Sequence, residues 1–444
     1  MPKAQKPSRA TVSTKKGSGR SAPATAELLL EIGVEELPYQ FISPALARLK
    51  ESAEQLLAEQ RLTFQAVRTL GTPRRLTLVV EGLVTQQASV MKEAMGPSKT
   101  VAFDQAGQPT RAAVGFAAGQ GVAVQDLQVR QTPKGEYLFA VKREEGRPSK
   151  AVLTDLLPQL VAKLSFPKAM KWNEAGVRFA RPVRWLVVLF GGTVLPIEAA
   201  GIKAGNRTRG HRVLGAKQGM VVRDCATYLK GLEKEGVIPN PERRRAIISE
   251  QIATLCKKTG FVLNQDDALL DQAVYTTEWP YAIIGSFKDM YLDMPEEILI
   301  TSMKEHQGFF SLRHKTTGKL VAHFIAVANN RVKDMGLIRE GNERVLAARL
   351  ADAKFFYDND RTTPLQDRVG KLDGVTFHQK IGTMGQKQAR IATLAASLAR
   401  LAGLNESVVK SCERAGALCK TDLLTGIVGE FPELQGVMGG YYAR

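Results

Sequence analysis

The sequence predicts an α+β protein, with mixed sheet domains leading into a helical C-terminal part. Three observations predict it. Apolar runs of strand length, such as 27–32 and 183–190, sit among stretches where apolar residues recur every three or four positions. These two patterns do not alternate regularly, as a doubly wound sheet would require. From Phe377 onward only the helical spacing continues, through Ile391, Leu394, Leu398 and Leu401.

The elements follow in order. Glu27–Ile32 (ELLLEI) reads as the first strand. Ser43 and Pro44 make a good N-cap and N1 pair for a helix carrying Leu46, Leu49, Ala53, Leu56 and Leu57. Gly71 and Pro73 mark a turn into a strand over Leu76–Val80. Lys134–Gly146 reads as another strand, and Ala151 opens a helix that Pro158 should kink or break. Val183–Phe190 and Thr193–Ala199 read as a hairpin turned by Gly191-Gly192. A helix from Pro241 to Gly260 buries Ile248, Ile252 and Leu255. Arg243, Arg244 and Arg245 crowd its start, the wrong end for cations, and are read as solvated. Further on, a helix led by Pro295, a strand over Ala322–Ala328 and a helix within Gly341–Asp360 complete the central part. Asp352 and Asp360 are candidates for capping a helix or pairing with Arg349.

Hydrophobic residues make up 44% of the 444, enough for two to four domains. The four cysteines have no CxxC spacing, and no apolar run approaches membrane-spanning length, so a reduced, cytoplasmic compartment is expected, with no membrane. The formal net charge is +18. Residues 1–26 carry six Lys/Arg and no acid, and read as a disordered basic tail. Without them, 56 basic residues still face 44 acidic ones, which favours a polyanionic partner.

The basic residues concentrate. Residues 168–215 hold nine Lys/Arg against Glu174 and Glu198, with Trp172, Phe179 and Trp185 interleaved. Phosphate recognition uses guanidinium forks for oxygens and flat rings for stacking. Strand alternation sends neighbouring side chains to opposite faces, so about half of these arginines should only solvate the sheet. Arg74-Arg75 after a Gly-Thr-Pro turn is a second basic point. There is no Walker A loop, no GxSxG and no outstanding carboxylate pair. The five histidines are too scattered in sequence to suggest a metal site.

Ten short motifs in order give a resemblance: EIGVEELP (31–38), TPRRLTL (72–78), FARPVRW (179–185), RGHR (209–212), EWP (278–280), SMKEHQGFF (302–310), ANNR (328–331), GNERVLAARLADAKFFYDND (341–360), KIGTM (380–384) and GEFPELQGVMGGYYA (429–443). Together they closely resemble the beta subunits of bacterial heterotetrameric (α2β2) glycyl-tRNA synthetases. The resemblance implies a glycine-tRNA ligase complex in which an alpha subunit binds ATP, Mg2+ and glycine. The beta chain would bind tRNA(Gly), with no cofactor and no catalytic residue of its own. Residues 27–130 would form an N-terminal α+β domain. Residues 131–370 would form a central α+β domain similar to one in phenylalanyl-tRNA synthetase beta chains, and 371–444 an incomplete HD-like helical domain. Family members continue well past Arg444, so a C-terminally truncated beta subunit is expected.

Candidate tRNA contacts are Arg181, Arg184, Arg209 and Arg212, then Arg74 and Arg75, then Lys304 and Gln307. His378 and Asp422 match degenerate HD positions; Lys420-Thr421 replaces the paired histidine, so no metal is expected. Two other readings are a metal-dependent HD-type phosphohydrolase using His378 and Asp422, and a purely structural assembly module.

Overall fold

The computed structural model describes residues 24–444. The tail assigned to residues 1–26 therefore lies outside the described residues up to position 23, and Thr25 already belongs to the first strand. No helix of the described residues is long and apolar enough to cross a membrane.

The strand Thr25–Val34 is the centre of the first sheet. It pairs antiparallel with Arg75–Val84 on one side and Val183–Phe190 on the other. Ala66–Thr72 extends one edge; Ile202–Gly205, parallel to Val183–Phe190, and Glu198–Ala199 extend the other. Period-two alternation gives the central strand two buried faces. Leu28, Leu30 and Ile32 pack under the helices Tyr39–Glu59 and Ser149–Ala162. Leu29, on the opposite face, packs with Val79, Trp185, Val187 and the helix Cys225–Lys234. That is why ELLLEI is continuously apolar apart from its glutamates.

Several local expectations are corrected. The first helix begins at Tyr39, and Pro44 lies inside it. The bond Pro44 removes belongs to the carbonyl of exposed Gln40, which water can satisfy. The helix Ser149–Ala162 runs unbroken through Pro158. The hairpin after Gly191-Gly192 keeps only Thr193–Val194 as its return strand, because Pro196 has no N–H to continue the ladder.

Between these elements, Val90–Ser98, Gln128–Thr132 and Gly135–Glu144 form a separate three-stranded sheet covered on one face by short helices. A boundary at 130/131 would cut it, and Val183–Phe190 belongs to the first sheet rather than a second domain.

The next unit is a four-stranded antiparallel sheet in the order Phe261–Leu263, Phe310–His314, Leu320–Ala328, Tyr281–Ser286. One face carries the helices Pro241–Thr259 and Asp267–Thr276. The other carries Met335–Asp360, whose Leu346, Leu350 and Ala353 share a core with Ile427, Phe431, Leu434 and Met438. The last segment is thus built into the second unit. Asp360 caps it, accepting from the Gly426 and Ile427 amides at 2.8 and 2.9 Å.

A helical hairpin, Met384–Leu401 with Glu406–Leu418, completes the description. Gly416 lies so close to Ala392 that a Cβ there would meet its Cα at 2.6 Å. Ala392, Ala396 and Ala399 form the buried stripe, and Leu394, Leu398 and Leu401 are exposed. Close helix approach selects small residues, so the leucine spacing marks the outer face.

Candidate nucleic-acid interface

Six of the ten motifs, EIGVEELP, TPRRLTL, FARPVRW, RGHR, EWP and ANNR, converge at one end of the central strand. Gly33 is paired with Arg75 on one side and with Trp185 on the other. A Cβ on Gly33 would lie 1.9 Å from the Trp185 ring, so only glycine lets that indole lie flat over the strand. Trp185 in turn carries two guanidiniums, Arg209 at 5.0 Å and Arg74 at 5.7 Å from its ring centroid.

Beneath this lies a sealed ion network. Arg75 is wholly buried. It donates to Glu31 Oε1 at 3.1 Å, to Thr72 Oγ1 at 3.2 Å, to Glu278 Oε1, and to the Arg209 carbonyl at 2.9 Å. Thr72 donates to Glu278 at 2.7 Å, and Thr208 to Glu31 at 2.9 Å. Burial alone would lower the Arg75 pKa, but Glu278 and Glu31 outweigh it and hold the guanidinium above its usual range. Burial pushes the Glu31 carboxyl up despite Arg75 beside it. Arg74 is also buried; it donates to the Gly210 carbonyl at 3.1 Å and lies 3.8 Å from Glu278, and desolvation lowers its pKa.

Arg75 therefore has no surface for an external phosphate, and Arg74 very little. The sequence reading placed both as phosphate contacts because it could not see Glu278 arrive from 203 residues downstream. Asn329 of ANNR fixes that loop, its Oδ1 accepting from the Glu278 amide at 2.5 Å and the Trp279 amide at 3.3 Å. Glu278 and Asn329 were missed as partners; a lone carboxylate in the apolar text of TTEWPYAII was the available signal.

Above the network the arginines are exposed. Arg184 and Arg212 share Glu35, at 3.2 and 2.9 Å, and Arg212 reaches Glu36 at 3.5 Å. Arg181 donates to its neighbouring Ala180 carbonyl at 3.0 Å, and Arg209 rests on Trp185. Neither has a carboxylate in ion-pair range among the described residues. His211 is buried and shapes the RGHR loop, its Nδ1 accepting from the Val213 and Leu214 amides at 3.2 Å each.

Lys304 and Gln307 are not part of this group. They lie at the wide helical turn Ser302–His306 of the second unit, where Lys304 pairs with Asp266 at 2.6 Å and Gln307 is half-buried. Of the three arginines at 243–245, Arg244 corrects the solvated reading, while Arg243 and Arg245 keep solvent-exposed side chains. Arg243 pairs with Glu233 and Arg245 with Asp271. Arg244 is wholly buried and donates to the carbonyls of Val274, Ile238 and Gly71. Desolvation lowers it to about 10.

The HD-type positions do not form a site. His378 is exposed on the short hairpin strand Thr376–His378. Asp422 is wholly buried, and its Oδ2 accepts from the Gly436 and Gly439 amides. Among the described residues no three His, Cys, Asp or Glu side chains are grouped to hold a metal ion. These residues do not fit one.

A family model described as glycyl-tRNA synthetase beta subunit matches residues 28–444. Among curated proteins, the glycine-tRNA ligase beta subunit of Trichlorobacter lovleyi is 48% identical over 417 residues, covering 94% of this chain and 60% of that one. Those of Geobacter metallireducens and Moorella thermoacetica are 47% and 46% identical with the same coverage. The chain spans about 60% of the length of the curated relatives it matches.

Proposed function

We propose that this chain, which belongs to the glycyl-tRNA synthetase beta subunit family, serves glycyl-tRNA synthesis by holding tRNA(Gly) while an alpha subunit performs the chemistry. The alpha subunit would bind glycine, ATP and Mg2+ and form the adenylate. This chain would contribute no catalytic residue and no cofactor site, and would act in the cytoplasm. Its part is positioning: a fixed acceptor end presents its terminal ribose to the activated glycine, and such placement supplies a large share of a rate enhancement.

The observation that supports this reading is the exposed cationic face built on the sealed network. Arg209 is set on Trp185, Arg184 and Arg212 meet at Glu35, and Arg181 is exposed on the segment that leads into Arg184. Arg75 supports that face from below, since its Nη2 holds the Arg209 carbonyl. A rigid guanidinium on an aromatic ring suits phosphate and base recognition.

The test is filter binding of a tRNA(Gly) transcript across a salt series. Arg181→Ala and Arg209→Ala should each weaken binding and lower the salt slope by about one. Unchanged affinity and slope in both would remove this face from RNA binding. Protection of tRNA coming only from the alpha subunit in a footprint of the complex would favour the assembly-module reading instead.

A further inference from the structure

We infer that the loop from Lys163 to Arg181 carries a second, more strongly cationic RNA-phosphate site, centred on a cleft beside Phe166. The inference rests on the RNA-binding reading above and extends it to residues that, Arg181 apart, that reading does not use.

Charge balance is the first observation. The Arg184/Arg212 group is locally neutral, because Glu35 and Glu36 sit against it. The stretch 163–181 holds Lys163, Lys168, Lys171, Arg178 and Arg181 against one acid, Glu174. All five cations are exposed, and none has a carboxylate in ion-pair range among the described residues. Elsewhere in this half of the protein the exposed cations are mixed: among the described residues Lys92, Lys99, Arg143 and Arg147 are paired, whereas Arg111, Lys134, Lys142 and Lys150 are not; the 163–181 stretch differs in gathering five unpaired ones within one short loop. Unpaired cations of one sign on a concave surface concentrate a positive field.

Shape is the second. The loop is irregular yet firmly tied. Met170 and Phe179 exchange backbone hydrogen bonds at 2.9 and 3.2 Å. Arg178 donates to the Ala169 carbonyl at 3.3 Å, Asn173 to Ala200 at 2.8 Å, and Arg48 to Ser165 at 3.2 Å. Phe179 is wholly buried in the main core, and Phe166 stands against it at 4.6 Å. Phe166 is the wall shared by two clefts. One, of about 580 Å³, is lined by Leu164, Ala169, Val177 and Arg178; the other, of about 340 Å³, by Phe41, Pro44 and Arg48. The larger has the size of ordinary small-ligand sites, so an unpaired nucleotide fits where a duplex could touch only the rim.

Chemistry decides the occupant. An RNA backbone supplies phosphates for the lysines and Arg178, and a base for the half-buried Phe166; stacking of this kind accepts any base. An anionic bilayer surface is flat and would leave both clefts empty.

The experiment compares two variants of the 444-residue chain with equal net charge. One is Lys163→Gln/Lys168→Gln/Lys171→Gln. The control is Lys257→Gln/Lys258→Gln/Lys315→Gln, whose lysines are exposed elsewhere. Binding to a tRNA(Gly) transcript is measured from 50 to 300 mM salt, with thermal unfolding to verify folding. The loop variant should lose about tenfold in affinity at 0.1 M salt and two to three units of salt slope, and the control much less. Arg178→Gln should add to the loss. If wild type binds the transcript and the two triple variants bind alike, this inference falls and the proposed function stands. If wild type does not bind it, both fall. Loss of binding to phosphatidylglycerol vesicles with tRNA binding intact would make the loop a membrane contact and overturn the inference.

Discussion

Arg75→Met tests whether the buried network holds the cationic face in place. The side chains of Arg75, Glu31 and Glu278 are at most 1% exposed, so the substitution strands two carboxylates with their shared counter-charge gone. Removing one partner of a buried pair costs about 3–5 kcal/mol, a large part of a typical domain's stability. The deficit should depend on pH. Burial already pushes the Glu31 carboxyl up, and without Arg75 it rises further. Between the unfolded and folded pKa values the folded state then binds protons that the unfolded chain does not. Stability therefore falls as pH rises through that window, and the deficit is larger at pH 8 than at pH 5.5. The assay is urea unfolding followed by Trp185 fluorescence in a Trp172→Phe/Trp279→Phe background. Arg75→Met/Glu278→Gln should recover part of the loss by removing one stranded charge. A deficit below about 1 kcal/mol, or one equal at both pH values, would refute the reasoning.

Three further outcomes are expected. Gly33→Ala should cost about 1–3 kcal/mol, displace Trp185 and red-shift its emission, because the new Cβ has no room beside the indole; an unchanged spectrum would contradict this. Arg244→Met should destabilise by about 2–4 kcal/mol, since three carbonyls from separate segments lose their buried donor, and urea unfolding measures it. Burial would raise the Asp266 carboxyl, but Lys304 and the Leu269 amide outweigh it and hold it below the usual carboxylate range. Its contribution is thus present above the ordinary aspartate value of about 3.9 and lost as pH falls through the folded value. NMR titration should show Asp266 moving upward in Lys304→Met, and an unshifted titration would sink the assignment.

What was legible in the chain divides along physical lines. Period and punctuation located the strand at 27–32, the run Val183–Phe190 and the helix from Pro241 to Gly260, because local alternation and caps dictate these. Position within the fold was less legible. Nothing near Val183 indicates that it joins the sheet begun at Thr25, and nothing near Phe431 shows that it packs against Leu350. The three-stranded unit between residues 90 and 144 was read only through its last strand, since the strand Val90–Ser98 is half exposed, turns Met91 and Met95 outward and carries Gly96-Pro97. Long-range pairing depends on complementary surfaces that no window of ten residues contains.

The same limit governs the candidate site. Arginine next to aromatic text pointed to residues that the fold gathers around Trp185, but residue type does not reveal which guanidiniums are already neutralised. Arg75 and Arg184 read alike in sequence. In the fold one is enclosed by Glu31 and Glu278, and the other shares Glu35 with Arg212 in water. An exposed pair of this kind is worth about 0–1 kcal/mol, so a phosphate can displace it at small cost; a buried one cannot be opened without unfolding its surroundings. Cations lacking any carboxylate, such as Lys168 and Arg178, face no such competition. The order in which phosphate should find these groups therefore follows from their carboxylate neighbours: the 163–181 loop and Arg209 first, Arg184 and Arg212 next, Arg75 never.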